Sequence, residues 1–174
     1  RVVSNRFFVE AQPWDRNGAV GRLGGGIGID MYAYSQFAFE DYLSGKQGKD
    51  KRTAWYAYGA ISGKVKKIAD WGADLKYYPS GYRSGDFAIN AHIALTAKLR
   101  GHPVILSGRF SQTKQSPSYW EENLFSNHYV WSNSFEKENE TRFKASLEIP
   151  SWALEISAWQ GVVSNKIYYD AKSM

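Results

Sequence analysis

The 174-residue chain contains no cysteine, which removes disulfides, thiolate zinc sites, CxxC redox motifs and thiol nucleophiles together. This absence leaves the compartment open, because many exported proteins also lack cysteine. Long apolar runs are missing as well. No stretch approaches the ~18 residues that a membrane-crossing helix needs, and the mean hydropathy is −0.50. A concentrated basic surface is also lacking. The net charge is +5 and the pI about 9.3, but Lys and Arg are spread along the chain, with short clusters only at 49–52 and 64–67, both in expected turns. A nucleic-acid surface gathers its cations on one face, so nucleic acid is not an expected partner.

Catalytic constellations fare no better. The glycine-rich run Gly21-Arg-Leu-Gly24-Gly25-Gly26-Ile-Gly28-Ile-Asp30 lacks both the dinucleotide-binding spacing and the Lys-Ser/Thr of a phosphate loop. His92, His102 and His128 are far apart, and none has an i+4 partner, so neither a metal nor a cofactor is expected. Glu121 and Glu122 beside Trp120 suggest a glycosidase pair on an aromatic platform. Adjacent residues of a strand point opposite ways, however, and in a loop such a pair reads as solvated charge. Asn139-Glu-Thr141 matches a glycosylation sequon in an expected turn, and no Ser has a neighbouring His and acid to suggest a triad. No enzyme is expected.

What the chain does contain is rings and glycines: Tyr 12, Phe 9, Trp 7 and Gly 16, more than a Leu/Ala-rich helical core would use. Their arrangement has a period of two. Phe87, Ile89, Ala91, Ile93, Leu95, Ala97 and Leu99 share one parity, against Asn90, His92, Thr96 and Lys98 on the other. The same alternation runs through 23–31, 69–77, 104–111, 142–149 and 152–159. Turns are expected at 12–18, 45–50, 63–64, 79–81, 100–103, 136–140 and 150–151, where Gly and Pro punctuate the pattern. Larger loops are expected at 116–126 and after Gly161. The reading is an all-β fold of about ten hairpin-linked antiparallel strands, one unit over residues 1–174 with no internal boundary.

Soluble sheets alternate too, but three features point to lipid. The strands approach the ~9–11 residues that cross a bilayer at a steep tilt. The polar parity is ionic with mixed sign. Aromatics gather at strand ends, as at Phe7-Phe8, Tyr32 with Tyr34, Tyr77-Tyr78, Trp120, Trp152 and Tyr168-Tyr169, where a membrane interface would hold them. A sheet in lipid must close into a barrel, because unpaired edges leave backbone groups without partners.

Several segments bear a family likeness. The run Gln115-Ser-Pro-Ser-Tyr-Trp-Glu-Glu-Asn-Leu-Phe-Ser-Asn-His-Tyr-Val-Trp-Ser-Asn133, with Leu147-Glu-Ile-Pro-Ser-Trp-Ala-Leu-Glu-Ile156, resembles the putative porin family of Bacteroidetes outer membranes. The segments 21–30 and 77–87 fit the same family, and the likeness extends from about Phe7 to about Asp170. It implies a large antiparallel outer-membrane barrel with no catalytic motif, considerably longer than this chain. A segment of such a barrel is therefore expected here, and the ends Arg1-Val-Val and Lys172-Ser-Met174 fit that expectation.

The expected function is a water-filled pore for passive diffusion of small hydrophilic solutes, with outer-membrane lipid and other outer-membrane proteins as neighbours. Asp74, Lys76, Asn90, His92, Lys98, Arg109, Arg142, Lys144, Glu148 and Glu155 are the expected lumen lining. Along the most cleanly alternating strands Lys76, Lys98, Arg109, Arg142 and Lys144 oppose Asp70, Asp74, Glu148 and Glu155, a near balance from which little ion preference is expected. Two alternatives stay open: a non-conducting scaffold barrel, and a soluble barrel that stacks sugar or lipid on Trp120, Trp131 and Trp159. Placing Arg at Leu95 should cost about 2–4 kcal/mol if this position lies near the bilayer midplane. Urea unfolding in lipid vesicles would measure it, and a soluble, water-facing Leu95 would tolerate the change.

Overall fold

The structure is a computed structural model that describes residues 1–12, 19–37, 47–126 and 130–168. Among the described residues ten strands run in chain order: β1 Val2–Ala11, β2 Arg22–Phe37, β3 Gln47–Val65, β4 Ala69–Gly81, β5 Phe87–Leu99, β6 His102–Gln115, β7 Asn123–Phe125, β8 Val130–Ser132, β9 Glu138–Ile149 and β10 Leu154–Ser164. Eight of them form one antiparallel sheet in the order β1-β2-β3-β4-β5-β6-β9-β10. A short helix α1 (Tyr119–Glu122) and the β7–β8 hairpin interrupt this up-and-down meander between β6 and β9. No helix among the described residues is long and apolar enough to cross a membrane. The sheet is not closed: β1 and β10 are its edges and do not pair with each other.

Alternation builds the sheet, and the register keeps it. Between β4 and β10 the pairing runs without a shift, through Leu75↔Ile89, Ala91↔Phe110, Phe110↔Phe143 and Leu147↔Ile156. One parity therefore stays on one face across all these strands. The single shift in the sheet lies between β3 and β4, where Trp55 pairs Ser80 but Ala57 pairs Tyr77. The extra residue falls at Tyr78-Pro79, and a bulge accommodates a proline that has no N–H to give the ladder.

The two faces are inverted relative to a water-soluble sheet. Aliphatic and aromatic side chains of one parity are exposed: Phe7 at 69%, Ile27 at 59% and Ile156 at 59%, with Ile93, Leu95, Leu106 and Phe143 in the same band. The buried residues lie mostly on the other parity, and most of the large ones are acidic or phenolic. They include Asp30, Tyr32, Tyr56 and Tyr78, with Asp86 just beyond the end of β4.

Several expected turns lie elsewhere. The basic cluster 49–52 and the Gly63-Lys64 pair are inside β3, because the period of two continues through them; the chain reverses at 66–68 instead. Pro79 to Gly81 belongs to β4, and its reversal follows at 82–85. The expected loop at 116–126 holds α1 and β7. At one end of the sheet lie the short turns 66–68, 100–101 and the 3-10 turn Pro150–Trp152, together with the longer β1–β2 connection. At the opposite end lie 82–86 and the long insertion between β6 and β9. The expected turn at 12–18 and Tyr169 fall largely outside the described residues.

Gly28 illustrates how the glycine-rich strand serves packing. It lies opposite both Arg6 and Tyr56, and a Cβ there would overlap the Tyr56 ring. Gly28→Val should destabilise the fold by about 1–3 kcal/mol through overpacking. Gly59→Ala, whose new methyl would meet nothing within 4 Å, should leave it unchanged. Urea midpoints of the two variants in detergent or vesicles check this, and equal midpoints would contradict it.

Candidate functional site

The register gathers every expected lumen residue onto the polar face. Asp74 pairs Asn90, Asn90 pairs Ser111 and Ser111 pairs Arg142. His92 pairs Arg109, and Arg109 pairs Lys144. Glu148 pairs Glu155, Lys98 pairs Pro103 and Lys76 pairs Ala88, all on the same face. Asp74 and Lys76 are half-buried, whereas Asn90, His92, Lys98, Arg109, Arg142, Lys144, Glu148 and Glu155 are exposed.

On β2 to β4 the polar face is filled by a tyrosine-rich network. The Asp30 carboxylate, 5% exposed, accepts hydrogen bonds from the Tyr78 hydroxyl at 2.7 Å and the Tyr32 hydroxyl at 3.5 Å. Lys76 Nζ sits 3.9 Å from the same carboxylate and 3.9 Å above the Tyr56 ring centroid. A charge taken out of water needs such partners. Tyr56 and Tyr78 pack with centroids 5.4 Å apart.

The insertion between β6 and β9 folds back over this network. The Tyr119 ring of α1 stacks on Tyr34 at 3.9 Å, and Trp120 meets Tyr34 edge-on. Arg52, paired with Asp50 at 3.0 Å, lies over the Tyr82 and Tyr119 rings at 4.5 and 5.0 Å. Gln36 fixes the insertion from below: its Nε2 donates to the Tyr119 hydroxyl at 3.1 Å, and its Oε1 accepts from the Phe125 N–H at 3.3 Å. Burial pushes the Tyr82 phenol up to about 12 and raises Tyr119 too, so both stay protonated at any physiological pH.

Asp86 holds both feet of the insertion. Its Oδ1 accepts from the Ser116 N–H at 2.9 Å, the Ser116 hydroxyl at 2.7 Å and Lys137 Nζ at 2.7 Å. Lys137 also donates to the Ser84 carbonyl, and Arg83 Nε approaches the second Asp86 oxygen at 3.9 Å. The side chain of Asp86 is almost fully buried.

A family model described as Putative porin matches residues 2–174. The chain belongs to the Putative porin family. No curated protein and no solved structure matches it. The family and the inverted sheet together make this a porin-like β-protein.

In this porin-family chain, Tyr32, Tyr34 and Tyr78 are not rim aromatics, as their position near strand ends suggested. They share the parity of Asp30 and Lys76 and are packed into the polar face, whereas Tyr77 and Phe7 point the other way and are exposed. Parity could have shown this from the sequence; proximity to strand ends misled. Asp86, Lys137 and Arg52 carried no local signal, because their partners are distant along the chain or belong to a network visible only in the fold. Among the described residues no group of His, Asp and Glu could hold a metal ion.

Asp86→Ala removes the acceptor shared by Ser116 and Lys137. It should cost about 1.5–3 kcal/mol, the range for hydrogen bonds to a charged group, somewhat reduced by the partial exposure of Lys137. The insertion should become cleavable by trypsin at Lys137 while the sheet persists by circular dichroism. A protease-resistant variant would show that the feet are held by something else.

Proposed function

We propose that this chain forms part of the wall of a bacterial outer-membrane porin, a water-filled channel for passive diffusion of small hydrophilic solutes. The inverted sheet carries the reading. A band of exposed Phe7, Ile27, Ile93, Leu106, Phe143 and Ile156 is costly in water but suits acyl chains, while ionic side chains and buried tyrosines share the opposite face. Outer-membrane lipid is the partner of the first face, and solute and water are the partners of the second.

The open edges follow the same logic. In hydrocarbon the unpaired N–H and C=O groups of β1 and β10 each cost several kcal/mol, so further strands complete the wall. Mostly short turns on one end and the insertion on the other are the pattern of the periplasmic and extracellular ends of such barrels, which supports a periplasmic side for 66–68 and 100–101 and an outer side for α1.

One observation favours a second reading, a non-conducting scaffold within an outer-membrane assembly: the insertion packs on Tyr34 and Gln36 of β2 and on Arg52 of β3, at one end of the polar face. Conductance separates the two. The intact protein reconstituted in a planar bilayer should show discrete, ohmic channel steps in potassium chloride. Folded protein that inserts without any steps would leave the scaffold and remove the pore.

A further inference from the structure

The polar face of β5, β6, β9 and β10 differs from the tyrosine-filled half. It forms an open groove of about 830 Å³. The register draws one row across its floor, His92–Arg109–Lys144–Trp159, with a second beside it, Asn90–Ser111–Arg142–Gly161. Directly opposite residues have their Cβ atoms about 4.5–5.5 Å apart, and like charges in that position repel. Arg109 facing Lys144 is therefore a pairing that stability alone disfavours, and Arg142 lies on the adjacent row.

Glu140 is the acid that lines the groove with these cations; Asp70, Asp74, Glu148 and Glu155 are not among its lining residues. Glu140 takes Arg142 at 2.5 Å. Glu155 reaches Lys144 only at 3.9 Å, and Asp70 reaches His92 at 3.7 Å. Asp74, on β4, is held by the Asn90 amide at 2.9 Å. Glu148 and Glu155 face each other four residues along the strand from the Lys144 row, about 13 Å at ~3.3 Å per residue. Among the described residues Arg109 has no ion-pair partner. The near balance of charge along the sequence thus resolves into a basic middle and an acidic step towards the short-turn end.

We infer that this groove is the anion subsite of the channel, built for small solutes carrying a carboxylate or phosphate group. The inference rests on the pore reading and adds its substrate class. Arg109 supplies a planar donor fork that fits either oxyanion bidentately, while Lys144 and Arg142, whose Nε and one terminal nitrogen already meet Glu140, add positive charge. The exposed Trp159 ring flanks them and offers an apolar surface for the body of the solute. Arg109, Arg142 and Lys144 against the single carboxylate of Glu140 leave the groove net positive, which raises the local anion concentration, and a bound anion relieves the repulsion between Arg109 and Lys144.

The test is the reversal potential of the intact protein in a planar bilayer across a potassium chloride gradient. The expected result is anion selectivity of about tenfold, lost in the combined variant Arg109→Gln, Arg142→Gln, Lys144→Gln. Lys67→Gln, in the short 66–68 turn and outside the groove, should retain it. Inorganic phosphate and acetate, each titrated against chloride current in the unmodified protein, should reduce that current, and comparing them shows which oxyanion the groove prefers. This arm needs no variant to fold. Channels that conduct without anion preference, or whose preference survives the triple change, overturn the subsite and leave the pore. Complete absence of conductance overturns both.

Discussion

Every feature of this chain depends on a backbone ladder that holds one parity on one face. Antiparallel pairing satisfies the N–H and C=O groups between strands, and its period of two sorts the side chains without further instruction. A slip by one residue anywhere between β4 and β10 would place Arg109, Arg142 and Lys144 among Ile93, Leu106 and Phe143. The one irregularity, at Tyr78-Pro79, falls near the end of β4. Tyr78 there still follows the parity of Lys76 into the Asp30 network, and the chain leaves the sheet through Gly81, whose φ of +89° suits a residue without Cβ.

On the polar face two regimes sit side by side. Over β2 to β4 and the turn that follows, phenols, carboxylates and cations pack against one another, and Asp30 and Asp86 are nearly dry. Rings stacked within a charge network restrict rotamers, and this half of the face behaves as a small polar core. Over β5 to β10 the same parity carries long, exposed cations above small Ser and Gly neighbours, and the space stays open. The difference follows from side-chain volume: Tyr56, Tyr58 and Tyr78 fill what Ser107, Ser111, Ser146 and Gly161 leave empty.

The sequence made the sheet legible because alternation is local. The stretches 87–99 and 142–149 declare their faces residue by residue, and the structure keeps those parities. The first part of β3 was hidden for a specific reason: Lys49, Asp50, Lys51 and Arg52 show no apolar parity, so a strand there looks like a solvated turn. The network was hidden by distance. Asp86 meets partners 30 and 51 residues away, and no spacing rule reaches that far. The expected lumen residues were found on one face because parity alone decides that. Which of them stand together depends on register between strands, and the row that unites His92, Arg109 and Lys144 could not be read from any one segment.

The fastening of the insertion at Asp86 has an evolutionary consequence. With Ser116 and Lys137 tied to one carboxylate, the chain between them is a loop whose ends are already brought together. Closure entropy grows only with the logarithm of loop length, by about 0.6 kcal/mol for each doubling. Residues between the two feet can be exchanged, added or removed with little effect on the alignment of β6 with β9. The shape presented above the polar face can then diversify while the wall beneath it stays constant.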